Sequence, residues 1–255
     1  MTEDEGRKQN LCRSSFVLRL RNEMTKLTGS AKATYVQKMF DSIAQRYDLM
    51  NTVMTLGQHQ HLRRTAAKLA QPPRHGFALD LATGTGDFAA ALQDVEPTCR
   101  VVGIDFAIEM MRLGQTKYDS RVMFAAGDML QLALPNNTFD CAVNGFVLRN
   151  VTDVRAAFAE MHRVLKPGGR AVSLEITSPR APVWRNIFGV YFDHVMPRIG
   201  GWLSGQPDAY RYLPQSVREF YPPEQIVELL RAVGFRDAHF RWLMLGTMAV
   251  YVGTK

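Results

Sequence analysis

Cysteine is scarce in this chain of 255 residues: Cys12, Cys99 and Cys141 are its only three. Their spacing fits neither a disulfide framework nor a metal or redox motif. An odd and sparse count suits a reducing compartment, so a cytoplasmic location is expected. Long apolar runs are also missing. None reaches the roughly 18 residues of a membrane-spanning helix, and the stretch 187–196 is interrupted by Asp193 and His194. The N-terminus carries charges but no continuous apolar core of a signal peptide. His59 and His61 invite a metal reading, yet residues two apart on a helix do not share a face. No acidic or cysteine partner has ligand spacing nearby, so no metal is expected. Internal repeats and low-complexity tracts are absent.

What is present begins with an apolar fraction of 46% and a charged fraction of 22%, the proportions of an ordinary soluble domain. The length allows one large domain with an appendage. Net charge is +7, and residues 1–38 hold eight Lys and Arg against four Asp and Glu. Residues 1–32 lack periodicity and read as a basic, loosely ordered extension. A solvated tail is the plain expectation for such a block. An anionic membrane surface, reached peripherally on the inner face, is the alternative.

The strongest local signal is Phe77-Ala-Leu-Asp-Leu-Ala-Thr-Gly-Thr-Gly-Asp-Phe-Ala89. A short apolar run ends in Gly84 and Gly86, and helical spacing (Phe88, Ala91, Leu92) follows, so the stretch reads strand, tight turn, helix. The glycines let the backbone approach a ligand closely. About twenty residues further on, Val101-Val-Gly-Ile104 ends in Asp105, a carboxylate suited to ribose hydroxyls. The run also satisfies the dinucleotide fingerprint G-x-G-x-x-G/A. Against a pyrophosphate stand Asp80, inside the strand end, and Asp87, in the first helical turn. Asp80, Asp87 and Asp105 make a mouth suited to a sulfonium and an α-amino group. S-adenosylmethionine carries both; a nicotinamide cofactor is the competing reading.

Residues 33–73 read as a helical cap, with a stripe at Val36, Met39, Phe40, Ile43 and Tyr47. A break at Gly57 and a basic helix from His59 to about Ala70 follow. Strands expected near 77–82, 100–105, 121–125, 139–145 and 170–176 alternate with helices near 86–94, 107–118 and 152–165. That alternation makes an α/β fold, an open parallel sheet with helices on both faces. In Leu165-Lys-Pro-Gly-Gly169 a glycine is expected to supply a left-handed helix cap. Residues 179–215, rich in aromatics, proline and glycine, read as an irregular helical insertion. Helix 223–233 then precedes strands Phe235–Leu243 and Thr247–Val252, close enough to pair only as an antiparallel hairpin.

Phe77 to Phe88, Gly103-Ile-Asp105, Phe139-Asp140 and Lys166-Pro-Gly-Gly169 resemble the class I S-adenosylmethionine methyltransferases, and the resemblance covers nearly everything from Lys38 onward. It implies a Rossmann-like, seven-stranded, mostly parallel sheet with an antiparallel C-terminal hairpin strand. Further stretches narrow it: Met39-Phe-Asp-Ser-Ile-Ala-Gln-Arg-Tyr-Asp-Leu-Met-Asn51, Leu148-Arg-Asn-Val-Thr-Asp153, Arg163-Val-Leu-Lys-Pro-Gly-Gly169 with Glu175, and Tyr210-Arg-Tyr-Leu-Pro-Gln-Ser216. In that order they resemble the ubiquinone/menaquinone-biosynthesis C-methyltransferase family. The resemblance makes 33–255 a methyltransferase domain whose 179–215 insertion lies on the substrate side. It implies donor contacts at Thr85, Asp105, Asp128 and Met129, and Asp80, Thr83, Gly84, Gly86, Phe106 and Gly145 are the further candidate donor contacts. Asp105 would take the ribose and Asp128 the adenine amino group. Asn144, at the end of strand four, is placed for donor, substrate or a turn. Where the family has serine and tryptophan, this chain has Thr55 and Leu62. Where it has Ser-Phe-Gly-Leu-Arg-Asn, this chain has Gly145-Phe-Val-Leu-Arg-Asn150. The change removes a hydroxyl at Gly145 and sets Val147 on the floor beside Arg149.

The implied acceptor is a ring carbon of a prenylated quinol, benzoquinol or naphthoquinol. Carbon methylation needs an electron-rich ring held in line and dry. A phenol ionises near pH 10, so the ring needs help to become a phenolate. Arg149, always protonated, suits that role electrostatically, with a water or carboxylate taking the proton. A buried salt bridge is its structural alternative. Asn150 would fix the second oxygen, and Tyr47, Asp48 and Tyr210 would close the site. Met50 and Met54 would line an apolar channel with Tyr210 and Tyr212, and the aromatics at 188–192 and 202 form either core or tail pocket. Two other functions compete: methylation of another lipophilic small molecule, at oxygen, and a non-catalytic donor-binding scaffold. Nucleic acid is not expected, because strand four lacks an Asn-Pro-Pro-aromatic run. A homodimer is compatible with the sequence.

Overall fold

A computed structural model describes residues 29–196, 198–199 and 207–255. The basic segment before residue 29 and Trp202 therefore lie outside the described residues. Seven strands form: β1 (Phe77–Leu81), β2 (Arg100–Asp105), β3 (Met123–Ala126), β4 (Phe139–Gly145), β5 (Leu165–Ile176), β6 (Arg236–Leu243) and β7 (Met248–Thr254). They make one sheet in the order β3-β2-β1-β4-β5-β7-β6. The first five pair in parallel, and β7 runs antiparallel to both β5 and β6. The final hairpin thus slots its second strand inside the sheet and leaves β6 at the edge.

The helices are α1 (Gly29–Ile43), α2 (Tyr47–Met54), α3 (His59–Ala70), α4 (Asp87–Val95), α5 (Ile108–Tyr118), α6 (Val154–Val164), α7 (Pro182–Val190), α8 (Pro207–Arg218) and α9 (Pro223–Ala232). Strand alternation sorts the core into two layers. Ala78, Cys141, Val143, Val172 and Val250 pack against Ala66, Ala67 and Ala70 of α3 and Ala91 and Leu92 of α4. Leu79, Leu81, Ala142, Ala171 and Tyr251 face the other way, against Phe158 and Met161 of α6 and Ile226 and Leu230 of α9. Sheets buried on both faces need such continuous apolar runs. Burying a valine, leucine or phenylalanine among them stabilises by roughly 1.5–3 kcal/mol, and an alanine by less.

The structure differs from expectation around Lys166-Pro-Gly-Gly169. Helix α6 stops at Val164, and its following residue Leu165 is already extended (φ −72°, ψ 142°). The glycines belong to β5 rather than to a helix cap. Gly168, at φ +81°, serves an irregularity where the β4/β5 register shifts between Phe139 and Cys141. Its N–H donates to the Lys255 carbonyl at 2.9 Å. The early helical stripe is also broken, by a 3₁₀ turn at Ala44–Arg46, so that Tyr47 starts a new helix. Among the described residues no helix is long and apolar enough to cross a membrane.

Candidate active site

The chain runs to one side of β1 with β2 and β3, then returns to its other side with β4. Ligands of open α/β sheets sit at the carboxyl ends of strands at such a reversal. Both strands leave through residues in the left-handed region, Ala82 at φ +54° and Phe146 at φ +60°. Each costs of order 1 kcal/mol for a residue bearing Cβ, and both line the cavities described next. Gly84 and Gly86 also have positive φ, and a Cβ on Gly86 would lie 2.7 Å from Phe124 Cζ. The turn therefore needs glycine there for both backbone and space.

A cavity of about 670 Å³ opens over this turn, lined by Gly84, Asp105, Phe106, Asp128, Met129, Gly145 and Val147. Asp105 Oδ2 accepts the Gly84 N–H at 2.7 Å, and its Oδ1 accepts the Ala107 N–H at 2.8 Å. The carboxylate so pins the glycine turn to the tip of β2, and burial pushes its pKa up. Asp128 closes its own loop, accepting the Leu130 N–H at 2.9 Å.

A recess of about 280 Å³ adjoins this cavity, sharing Tyr47, Ala82 and Gly145 with it and adding Arg63, Asp80, Thr83 and Thr85. Asp80 is 1% exposed. Its Oδ2 accepts from Thr83 Oγ1 at 2.6 Å and from the Ala89 N–H at 3.0 Å, while Oδ1 has no partner. Burial dominates and pushes its carboxyl up to about 7. Asp87 behaves differently. Although burial opposes its charge, Arg63, Lys117 and Tyr118 together hold its pKa below the usual carboxylate value. Lys117 Nζ stands 2.7 Å away and Tyr118 Oη 2.8 Å. Asp87 lines the same recess as Asp80, and unlike Asp80 its charge is already met by partners within the protein.

A second large cavity, about 820 Å³, lies between the cap and the insertion. Its walls include Met50, Met54, Phe188, Phe192, Tyr212 and Arg149. Phe40, Tyr47, Phe146 and Asn150 border both large cavities, so a thin wall of four side chains separates them. Arg149 and Glu175 form a buried ion pair at 2.5 Å, with side chains 6% and 0% exposed. Arg149 Nη1 also donates to the Phe146 carbonyl at 2.8 Å, and its buried Nε has no partner. Arg149 is thus bridged to Glu175, as its structural alternative has it, and it also lines the cavity. Tyr212 donates from its hydroxyl to Asn150 Oδ1 at 3.3 Å. Burial raises the pKa of Tyr47 and of Tyr212.

Three expectations are corrected. Asn144 is fully buried on the α6 side of the sheet, its amide donating to Met161 Sδ at 3.2 Å, and it lines neither large cavity. Period-2 alternation puts it with Ala142, not with Gly145. Asp48 lines none of these cavities: its Oδ2 holds Lys117 at 2.5 Å, while its Oδ1 accepts from Thr85 Oγ1 at 3.5 Å. Val147 borders the donor-side cavity rather than the floor beside Arg149. Thr83 and Thr85 line the small recess. Tyr210 lies on α8, but its side chain is outside the described residues. The sequence reading missed Arg63, Phe40 and Asn51, and gave Glu175 no role. A signal existed for Arg63: on α3 the buried positions are His59, Leu62, Arg63, Ala66, Ala67 and Ala70, so Arg63 falls on the inward stripe.

Strand order, glycine turn and strand-tip carboxylates together define the Rossmann-like, S-adenosylmethionine-dependent class I methyltransferases. A solved Thermotoga maritima methyltransferase of this class, described as a possible histamine N-methyltransferase, superposes with a TM-score of 0.62 at 18% identity, covering 86% of this chain and 99% of that one. The chain belongs to the ubiE/COQ5 methyltransferase family, whose model matches residues 28–255. A demethylmenaquinone methyltransferase of Roseiflexus sp. (strain RS-1) is 45% identical over 225 residues, spanning 88% of this chain and 94% of its own length. A ubiquinone/menaquinone biosynthesis C-methyltransferase of Desulfotalea psychrophila (strain LSv54) is 39% identical over 245 residues, spanning 96% and 95%.

Proposed function

We propose that this chain methylates a ring carbon of a prenylated quinol, with S-adenosylmethionine as donor. The supporting observation is a buried arginine on a mostly apolar cavity, one side-chain wall away from the cavity over the glycine turn. The donor-side groups fit that cofactor. Asp105 stands at the strand tip for a ribose, and Asp80 Oδ1 is a buried acceptor without a partner, which a cationic amino group would satisfy. When bound, the cofactor supplies an electrophilic methyl group on a sulfonium.

The chain's own residues do the rest. Glu175 holds Arg149 through Nη1, leaving Nε to meet a substrate oxygen and favour its phenolate form. In a dry cavity that field is stronger than in water. Tyr47 and Tyr212 are neutral at physiological pH, and burial raises their pKa further above the ordinary tyrosine value, so they position groups rather than accept protons. Asn150, held by Tyr212, faces the second ring oxygen. Met50, Met54, Phe188 and Phe192 exclude water and take the prenyl tail. The ring carbon gains the methyl as the sulfur–methyl bond breaks to leave a neutral thioether, and it then gives up its proton to a water or carboxylate, so the quinol is restored.

The basic N-terminal segment and the exposed apolar side chains Val183, Ile187 and Val190 of α7 support a peripheral contact with an anionic membrane, where such a substrate resides. The deciding assay offers extracted demethylquinones, reduced and oxidised, with labelled methyl donor. Label entering only the reduced quinones supports the reading. Label on oxygen, or on neither form, defeats it.

A further inference from the structure

The recess behind the glycine turn contains a cation that the quinol chemistry does not use. Arg63 is 4% exposed. Its Nη1 pairs with His59 Nδ1 at 2.9 Å and with the His59 carbonyl at 3.5 Å, and stands 3.6 Å from Asp87 Oδ2. Among the described residues its Nε and Nη2 make no hydrogen bond. His59 supplies no charge here, because burial and then Arg63 itself lower its pKa. The other cation of the cluster is already engaged: Lys117 holds Asp48 at 2.5 Å and Asp87 at 2.7 Å. The guanidinium lies over the Phe146 ring, 5.4 Å from its centroid, which fixes its plane. It borders the same recess as Asp80, and its charge bears on that carboxyl.

A buried guanidinium with one edge unbonded is matched to a carboxylate, which takes two parallel N–H bonds. In the same recess, the unpartnered Asp80 Oδ1 is matched to an ammonium. We infer that this recess is a zwitterion site in which Arg63 anchors the α-carboxylate of the methyl donor's amino-acid end. The inference rests on the donor reading above and assigns Arg63 a part in donor discrimination: adenosyl compounds lacking the carboxylate are refused. The structural alternative is that Arg63 merely neutralises Asp87.

Calorimetric titration separates these, using S-adenosylhomocysteine and 3-aminopropylthioadenosine, which differ by the carboxylate alone. The wild-type chain should prefer the former by about 30-fold or more, the size expected of a buried charged pair. Arg63→Met should abolish that preference while leaving the amine's affinity within about twofold. Arg63→Lys, which keeps the charge but not the fork, should retain a reduced preference and covers the case in which the methionine variant does not fold. Three results overturn the proposal: a wild type indifferent to the carboxylate, a preference that survives in Arg63→Met, or equal losses for both ligands. A wild type that binds neither adenosyl compound rejects the donor reading itself, and Arg63's role with it.

Discussion

Asp80 allows the sharpest test, because its cost and its use pull in opposite directions. A carboxyl moved from 3.8 to about 7 implies that its ionised form is disfavoured in the folded state by roughly 4 kcal/mol. The sign follows from proton counts. Between about pH 4 and pH 7 the unfolded chain has released this proton and the folded chain keeps it, so stability falls as pH rises. Above about pH 7 both forms are ionised and the full penalty persists. Asp80→Asn keeps an oxygen for Thr83 Oγ1 and the Ala89 N–H, and mimics the protonated acid. At pH 8 the ligand-free variant should be more stable than the wild type by about 2–4 kcal/mol. For a chain of this length that is about 5–10 °C in melting temperature. More than half of the gap should close by pH 5. The same variant should bind S-adenosylhomocysteine about 10- to 100-fold more weakly, because a buried cation has lost its charged partner. Wild-type affinity for that ligand should also weaken below pH 7, as binding must first remove the proton. Thermal melts and titrations from pH 5 to 8 carry the test. An asparagine variant less stable at pH 8, or a gap indifferent to pH, would refute the reasoning.

Arg149→Lys should lose most of the turnover while keeping Glu175 paired, and Arg149→Ala should lose on the order of 3 kcal/mol in kcat; steady-state rates up to pH 10 should show partial rescue as the free quinol ionises, and a constant deficit would make Arg149 purely structural. Gly114→Ala should destabilise the fold by about 2 kcal/mol, since its Cβ would lie 2.7 Å from the Thr85 carbonyl oxygen, and chemical denaturation reads this directly. Deleting residues 1–28, or changing Ile187 to Asp, should each weaken binding to anionic vesicles in flotation assays. For the deletion the lost part should be the salt-sensitive one, at about 1 kcal/mol per basic residue.

Much of the fold was legible because the alternation of β and α runs is strong and because the strands, buried on both faces, are continuously apolar. The β5 start was misplaced because glycine and proline read as punctuation in any local scan, while here pairing with β4 overrides that local signal. Asn144 was misassigned through looking at its position along the strand and not at its face, although alternation with Ala142 and Cys141 contained the answer. Asp48 stands in the family-like stretch 39–51 and Asp87 in the first turn after the glycines, which made both candidates for the site. Only the third dimension shows Lys117 arriving from α5, 69 and 30 residues away in sequence, to satisfy both. Glu175 could not be given its part from spacing either, since its partner sits 26 residues upstream at the end of another strand.

Phe146 joins what would otherwise be two independent sites. Its ring carries Arg63, while its carbonyl receives both Arg149 at 2.8 Å and Asn150 at 3.3 Å. If a quinol oxygen draws on Arg149 as proposed, it pulls, through one strained residue, on the platform beneath Arg63. Such coupling is reciprocal by thermodynamic necessity: whatever factor the acceptor imposes on donor affinity, the donor imposes on acceptor affinity. Spent donor would then be retained or released according to how full the quinol cavity is. The size of the unmethylated quinol pool would set how strongly the demethylated donor inhibits the enzyme.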